Sequence, residues 1–475
     1  MAGAALTAVP AVKTHPRRDG RAGNADSSRF GGYMHSPLSN LARAVLVSAG
    51  QHGISFSMIC VALMLPLSAV AQNELSLADA QRLAVERSRQ LAGQDAAVAA
   101  NRDLAVSAAQ NPDPVLSAGI GNLPVTGADQ FSIGSDFMTQ RSIGVSQEFT
   151  RGDKKRLRGE HYQREADKTL AEKAQMTLVI QRDTALAWLD RYYSEASAEL
   201  IGEQIRQAQG EIEAAQTAYR SGHGSQSDVL AARAALVGLQ DRASEIARKA
   251  RSAKIALVRE IGEPGNFPLA RKPAIDHIPI DPGALDKHVA MHPDILILAK
   301  QEDLATTDAR LAEVNKLSDW SVELSYGLRG SQYSNMASIG VSVPLQWDQA
   351  NRQDREVAAK LAQAEQISAQ REEAMRAAVA EVNSMISDWD SARERLARLE
   401  NELVPLSAER TQAELSAYRS GKSSLNDVLV ARRNEVDARL QALQMEAEAA
   451  RLWALLNFHF LQNDTGRTAP EKDVQ

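Results

Sequence analysis

The chain has 475 residues and a formal net charge of -6, from 54 Lys and Arg against 60 Asp and Glu. Both signs are interspersed and no basic stripe stands out, which excludes a nucleic-acid footprint. Aromatics make up only 4% and alanine recurs throughout, a composition suited to long helices packed through small side chains rather than to a large aromatic core.

The polar arm from Met1 to about Gly53 is long for the start of a leader, and Met34 is an alternative start. The apolar run Ile54–Leu67 and the following Ser68-Ala69-Val70-Ala71-Gln72 have the form of a secretory signal peptide, with cleavage expected after Ala71. Cys60, the one cysteine, lies in that run. Ser57-Met58-Ile59 before it is a poor lipid-attachment signal, so the mature chain is expected to begin unlipidated at Gln72.

Residues 75–110 read as one helix, stopped by Asn111-Pro112-Asp113-Pro114. Leu116, Ala118 and Ile120, then Ile143, Val145 and Phe149, alternate with Ser, Gly, Gln and Glu, giving a β-hairpin over 115–149. Helical patterning runs from Arg151 to Ile261 with one reversal, and a Gly- and Pro-spotted connector follows to about residue 284. The order then repeats: helix over 285–317, a second hairpin over 320–347, a long helical run from about Asn351, a reversal, and a return helix to Phe460. The expected organisation is an arm and signal peptide (1–71), a first repeat (72–284), a second repeat (285–462) and a disordered tail (463–475).

The two reversals share a motif. Ala218-Tyr219-Arg220-Ser221-Gly222-His223-Gly224-Ser225-Gln226-Ser227-Asp228-Val229-Leu230-Ala231-Ala232-Arg233 aligns with Ala417-Tyr418-Arg419-Ser420-Gly421-Lys422-Ser423-Ser424-Leu425-Asn426-Asp427-Val428-Leu429-Val430-Ala431-Arg432, about eleven of sixteen positions being identical. Gly222 and Gly421 suit a left-handed helix end, and Ser225 and Ser424 suit N-caps. Asp228 and Asp427 fall on the first turn, where the macrodipole favours an anion; alanine there is expected to leave the turn formed. The tips span 218–230 and 417–429.

Lengths shape the rest. About 68 residues from Asp153 to the first tip make about 100 Å of helix, and the return helix is about half that. The arithmetic pairs the return helix 225–261 end to end with 285–317, and 424–460 with 75–110. The result is a rod with strands at one end and tips at the other. Strands of about nine residues with one apolar face fit a membrane barrel, with Phe149, Trp320 and Trp347 as an interfacial girdle. Open edges cannot be satisfied in hydrocarbon, so several chains must each contribute four strands to one closed barrel.

The order of elements, the two strand hairpins and the paired Tyr-Arg-Ser-Gly…Ser-x-x-Asp-Val-Leu tips resemble the TolC-type outer-membrane efflux ducts, over about residues 75–460. The resemblance implies a mainly α fold with a transmembrane β part, a homotrimer forming a twelve-stranded β-barrel and a long α-helical periplasmic tunnel in a Gram-negative cell. It implies docking to a periplasmic adaptor (a membrane fusion protein) and an inner-membrane pump, contact with outer-membrane lipid, no covalent chemistry and no cofactor. The adaptor-docking and gating residues it implies are Tyr219, Arg220, Ser221, Gly222, Ser225, Asp228, Val229 and Leu230, with Tyr418, Arg419, Ser420, Gly421, Ser424, Asp427, Val428 and Leu429. Ser423 stands where some members carry a basic residue of the resting lock. The run Gln147–Arg156 is similar to the CzcC-like branch, which implies heavy-metal cations among the exported solutes. The alternative is a soluble periplasmic coiled-coil adaptor or scaffold, which would not need four apolar-faced strands. His288 and His292 form an i, i+4 pair that lacks a third ligand and reads as surface histidines rather than a metal site.

Overall fold

A computed structural model of the protein describes residues 74–459; the signal peptide, Cys60, Gln72 and the tail lie outside them. The elements in order are α1 (Leu77–Arg87), α2 (Arg89–Ala108), β1 (Val115–Gly121), β2 (Gln140–Phe149), α3 (Gly152–Arg220), α4 (Gln226–Ile261), α5 (Leu285–Ala290), α6 (Pro293–Asn315), β3 (Trp320–Leu328), β4 (Met336–Ser342), α7 (Gln353–Arg398), α8 (Val404–Arg419) and α9 (Leu425–Asn457). α3 runs unbroken for 69 residues, or about 100 Å.

Three expected helices are interrupted, each for a local reason. Ser88 takes extended angles between α1 and α2, and its hydroxyl accepts from the Leu91 amide at 3.3 Å, so a new N-terminus forms there. Pro293 forces His292 out of the helical region, dividing the expected helix 285–317 into α5 and α6. A π-helical segment at Leu399–Leu403 joins α7 to α8. It lies just before Pro405, whose missing N–H leaves the Asn401 carbonyl without its helical donor.

The four strands form one antiparallel sheet in the order β1-β2-β3-β4, so the two hairpins are joined through β2 and β3. The register carries the apolar faces of all four strands into line. Leu116, Val145, Leu324 and Ile339 form one row, and Ala118, Ile143, Tyr326 and Ala337 the next. Ser117, Gly144, Ser325 and Ser338 line up on the other face. Phe149 stacks on Trp320 at the helix end of the sheet, ring centroids 4.6 Å apart. β4 stops at Ser342, short of the expected Leu345, because Pro344 restricts Val343 and has no amide to donate. Lys154, at the start of α3, is buried against Asp319 before β3 (2.9 Å), which fixes the sheet on the helices.

The main core lies partway along the helices, away from the sheet. Trp188, Leu189, Leu257, Val289, Val382 and Ala454 are fully buried there. The connector crosses this level: Leu75 bridges Leu269, and the Trp453 indole donates to the His277 carbonyl at 2.9 Å. Here the expected end-to-end pairing is exchanged. α4 ends against α1, with Ala84, Leu257 and Ile261 in one cluster, while α9 ends at α6, where the His292 and His459 rings lie 4.5 Å apart. Helix lengths could not choose, because either assignment fills the rod. The path of the connector does.

Candidate functional site

The two reversals at the far end of the rod have nearly the same geometry. α3 ends at Arg220, Gly222 takes φ 77°, and the His223 amide returns to the Ala218 carbonyl at 2.9 Å. In the second tip Gly421 takes φ 73° and the Lys422 amide returns to Ala417 O at 2.8 Å. These angles are open to glycine at little cost and to other residues only with strain. No atom lies within 4 Å of a Cβ built on either glycine, so backbone conformation alone selects it.

Each return helix opens with a reciprocal cap. The Ser225 amide donates to Asp228 Oδ2 (2.9 Å) and the Asp228 amide to Ser225 Oγ (3.2 Å). In the second tip the distances are 3.1 Å and 3.3 Å. Asp427 also accepts from the Ser424 hydroxyl (2.7 Å), and the single Ser423 hydroxyl proton lies between Glu414 Oε2 (2.9 Å) and Asp427 Oδ2 (3.3 Å). The Ser424 hydroxyl, the Ser424 amide and Ser423 hold the Asp427 carboxyl below its ordinary value. Both aspartates therefore close the turn they stand in. Each is half of a capping box, so alanine there would remove the bond to the N-cap amide and keep the one from its own amide to the serine hydroxyl.

The tips of one chain pack side by side. Ala215, Val229, Ala232, Leu425, Val428 and Leu429 form one buried cluster, with Tyr418 half-buried at its edge. Of the sixteen tip residues singled out in the sequence, Val229, Val428 and Leu429 thus face the neighbouring tip. Tyr219, Arg220, Ser221, Gly222, Ser225 and Leu230 are exposed, as are Arg419, Ser420, Gly421, Ser424 and Asp427; Asp228 is half-buried.

Behind the tips lies an ionic network that the sequence reading missed. Arg432 on α9 reaches Glu211 on α3 (3.2 Å) and Glu435 on its own helix (3.2 Å), and Glu435 also holds Arg439 (2.7 Å). Arg242 on α4 pairs with Asp437 on α9. Arg432 closes the second copy of the motif, but no local signal could name its partner 221 residues away.

His292 Nδ1 accepts from the Asp294 amide (3.2 Å) as the cap of α6, and the ring lies against His459. Among the described residues no cluster of three or more His, Cys, Asp or Glu could hold a metal ion, and no helix is long and apolar enough to cross a membrane.

The architecture recurs in solved structures. The outer-membrane channel OprN superposes with a TM-score of 0.67 at 19% identity, over 81% of this chain and 90% of that one. VceC from Vibrio cholerae gives 0.65 at 16%, over 81% and 96%, and CusC gives 0.68 at 14%, over 81% and 92%. No curated protein sequence matches the chain. The fold is that of the TolC-type channels: a helical tunnel part carrying a share of a β-barrel. The profile of the outer membrane efflux protein family matches residues 284–457, the second repeat, which is thereby an outer membrane efflux protein domain. The second repeat thus carries the family match, and the described chain as a whole has the fold of solved outer-membrane channels.

Proposed function

We propose that the protein is the exit duct of a three-part export system. Three copies pool their strands into a twelve-stranded barrel in the outer membrane, and their helices continue it as a periplasmic tunnel. The single observation that carries this reading is the sheet. Four strands hold an aligned, exposed apolar face, including Leu116 (68%), Leu324 (60%) and Ile339 (77%), and both edge strands are unpaired. A lone chain cannot satisfy those edges in lipid, whereas a closed ring can. The polar rows of Ser and Gly then face a water-filled lumen.

At the other end, the exposed tip residues Tyr219, Arg220, Leu230 and Arg419 offer the surface on which a periplasmic adaptor docks, and through it an inner-membrane pump. The Gly and capping-box turns present those side chains in fixed positions. The solutes exported are small and include heavy-metal cations. The support for that is the Gln147–Arg156 run alone, in which Lys154 also serves the fold through Asp319. Selection of the solute belongs to the pump.

Membrane fractionation, with planar-bilayer conductance of the purified protein, tests the reading. Recovery with outer-membrane markers as a conducting trimer supports it. A soluble periplasmic protein without conductance would make it an adaptor or scaffold instead. Loss of metal tolerance in a deletion strain, restored by the full chain, tests the solute class.

A further inference from the structure

The internal repeat allows the surface between copies to be read from the surface within one copy. Residues of α4 and α9 correspond at a spacing of 199, set by Ala218 and Ala417. On α9, Leu429 and Val436 are buried against the first hairpin, 8% and 1% exposed. Their counterparts on α4, Leu230 and Val237, are 56% and 62% exposed. Besides its own hairpin helices α7 and α8, α9 packs across the hairpins mainly on α3, and the counterpart of the tip-proximal part of α3 is α8. α8 offers an open apolar side chain of its own, Leu406 at 61%. A ring of equivalent contacts therefore places α4 of one copy on α8 of the next.

The ionic network does not repeat with it. Arg432 reaches Glu211 within a copy; the corresponding residues are Arg233 and Arg410. The buried Glu435 corresponds to Leu236, Arg439 to Gln240, and Asp437 to Gly238. Arg233 and Arg410 are both exposed, and neither has an ion-pair partner among the described residues.

We propose that the tip end of the trimer has two unlike seams. Within a copy the hairpins are held by the Arg432–Glu211 network. Between copies α4 meets α8 through Leu230 and Val237, with Arg233 set against Arg410. The seam between copies is the one at which the tips part, because like charges oppose its closure. This inference rests on the trimeric duct proposed above.

Charge exchange tests it on the full-length chain in planar bilayers. Arg410→Glu and Arg233→Glu should each place a carboxylate opposite a guanidinium, hold the seam shut and lower single-channel conductance severalfold. The double variant restores like charges and should return conductance to the wild-type level. Separately, Val237→Cys with Val404→Cys, the counterpart of Ile205 on α3, should give disulfide-linked dimers and trimers on non-reducing gels. Native mass spectrometry reports assembly. If trimers form but the cysteines do not cross-link, the seam geometry is wrong. If they cross-link but conductance ignores the charge variants, the electrostatic part is overturned. If no trimer forms in the wild type, the duct reading itself fails.

Discussion

An arginine at Ile339 is the most direct probe of the sheet. Ile339 pairs with Leu324, the fifth residue of the nine-residue β3, so it lies at mid-strand. Nine residues at about 3.3 Å, tilted about 45°, span roughly 21 Å of depth, close to the apolar band of an outer-membrane barrel. Ile339 thus falls near the bilayer midplane, where Ile339→Arg should cost about 2–4 kcal/mol per chain. That is a factor of roughly 30 to 1,000 in each chain's folding equilibrium. Ser338, its neighbour, pairs with Ser325 on the polar face at almost the same depth. Ser338→Arg should be tolerated and alter conductance instead. Val341 pairs with Val322, two residues nearer the helices, a shift of about 5 Å in depth, so Val341→Arg should cost less than Ile339→Arg. Denaturant titration of protein refolded into lipid vesicles reads all three. Equal losses at Ile339 and Ser338, or none at Ile339, would refute a lipid-facing apolar side.

At the tips, Gly222→Ala and Gly421→Ala meet no steric neighbour and should cost only the left-handed backbone penalty, about 1–2 kcal/mol each. Trimers should still form while adaptor capture in a pull-down declines. Trp188 is fully buried and its indole donates to the Leu75 carbonyl at 3.0 Å; Trp188→Ala should cost about 3–5 kcal/mol and lower the thermal midpoint. His459 is pushed down to about 4 by burial, then by His292 and Arg182. The unfolded chain therefore takes up a proton that the native chain refuses, and stability should fall as pH drops from 6.5 towards 4. His459→Phe should flatten that part of a denaturation-versus-pH curve, and an unchanged slope would place the sensitivity elsewhere.

Much of this molecule is local and so was legible in the chain. Period-two alternation marked the strands, because a pleat sends successive side chains to opposite faces. The reversals at Gly222 and Gly421 were legible because one glycine and one Ser-x-x-Asp box carry the whole turn. The breaks at Ser88 and Pro293 and the π segment before Pro405 fell inside helices expected to be continuous, and needed coordinates. Tertiary structure decided what depends on distant partners. It set the register that aligns Leu116, Val145, Leu324 and Ile339, and the meeting of α4 with α1 and of α9 with α6. It also buried Val428 between tips and joined Arg432 to Glu211. Periodicity records which face of an element is apolar but not which element will cover it. That choice is made by the connector's path and by side chains 221 residues apart, between which sequence spacing carries no information.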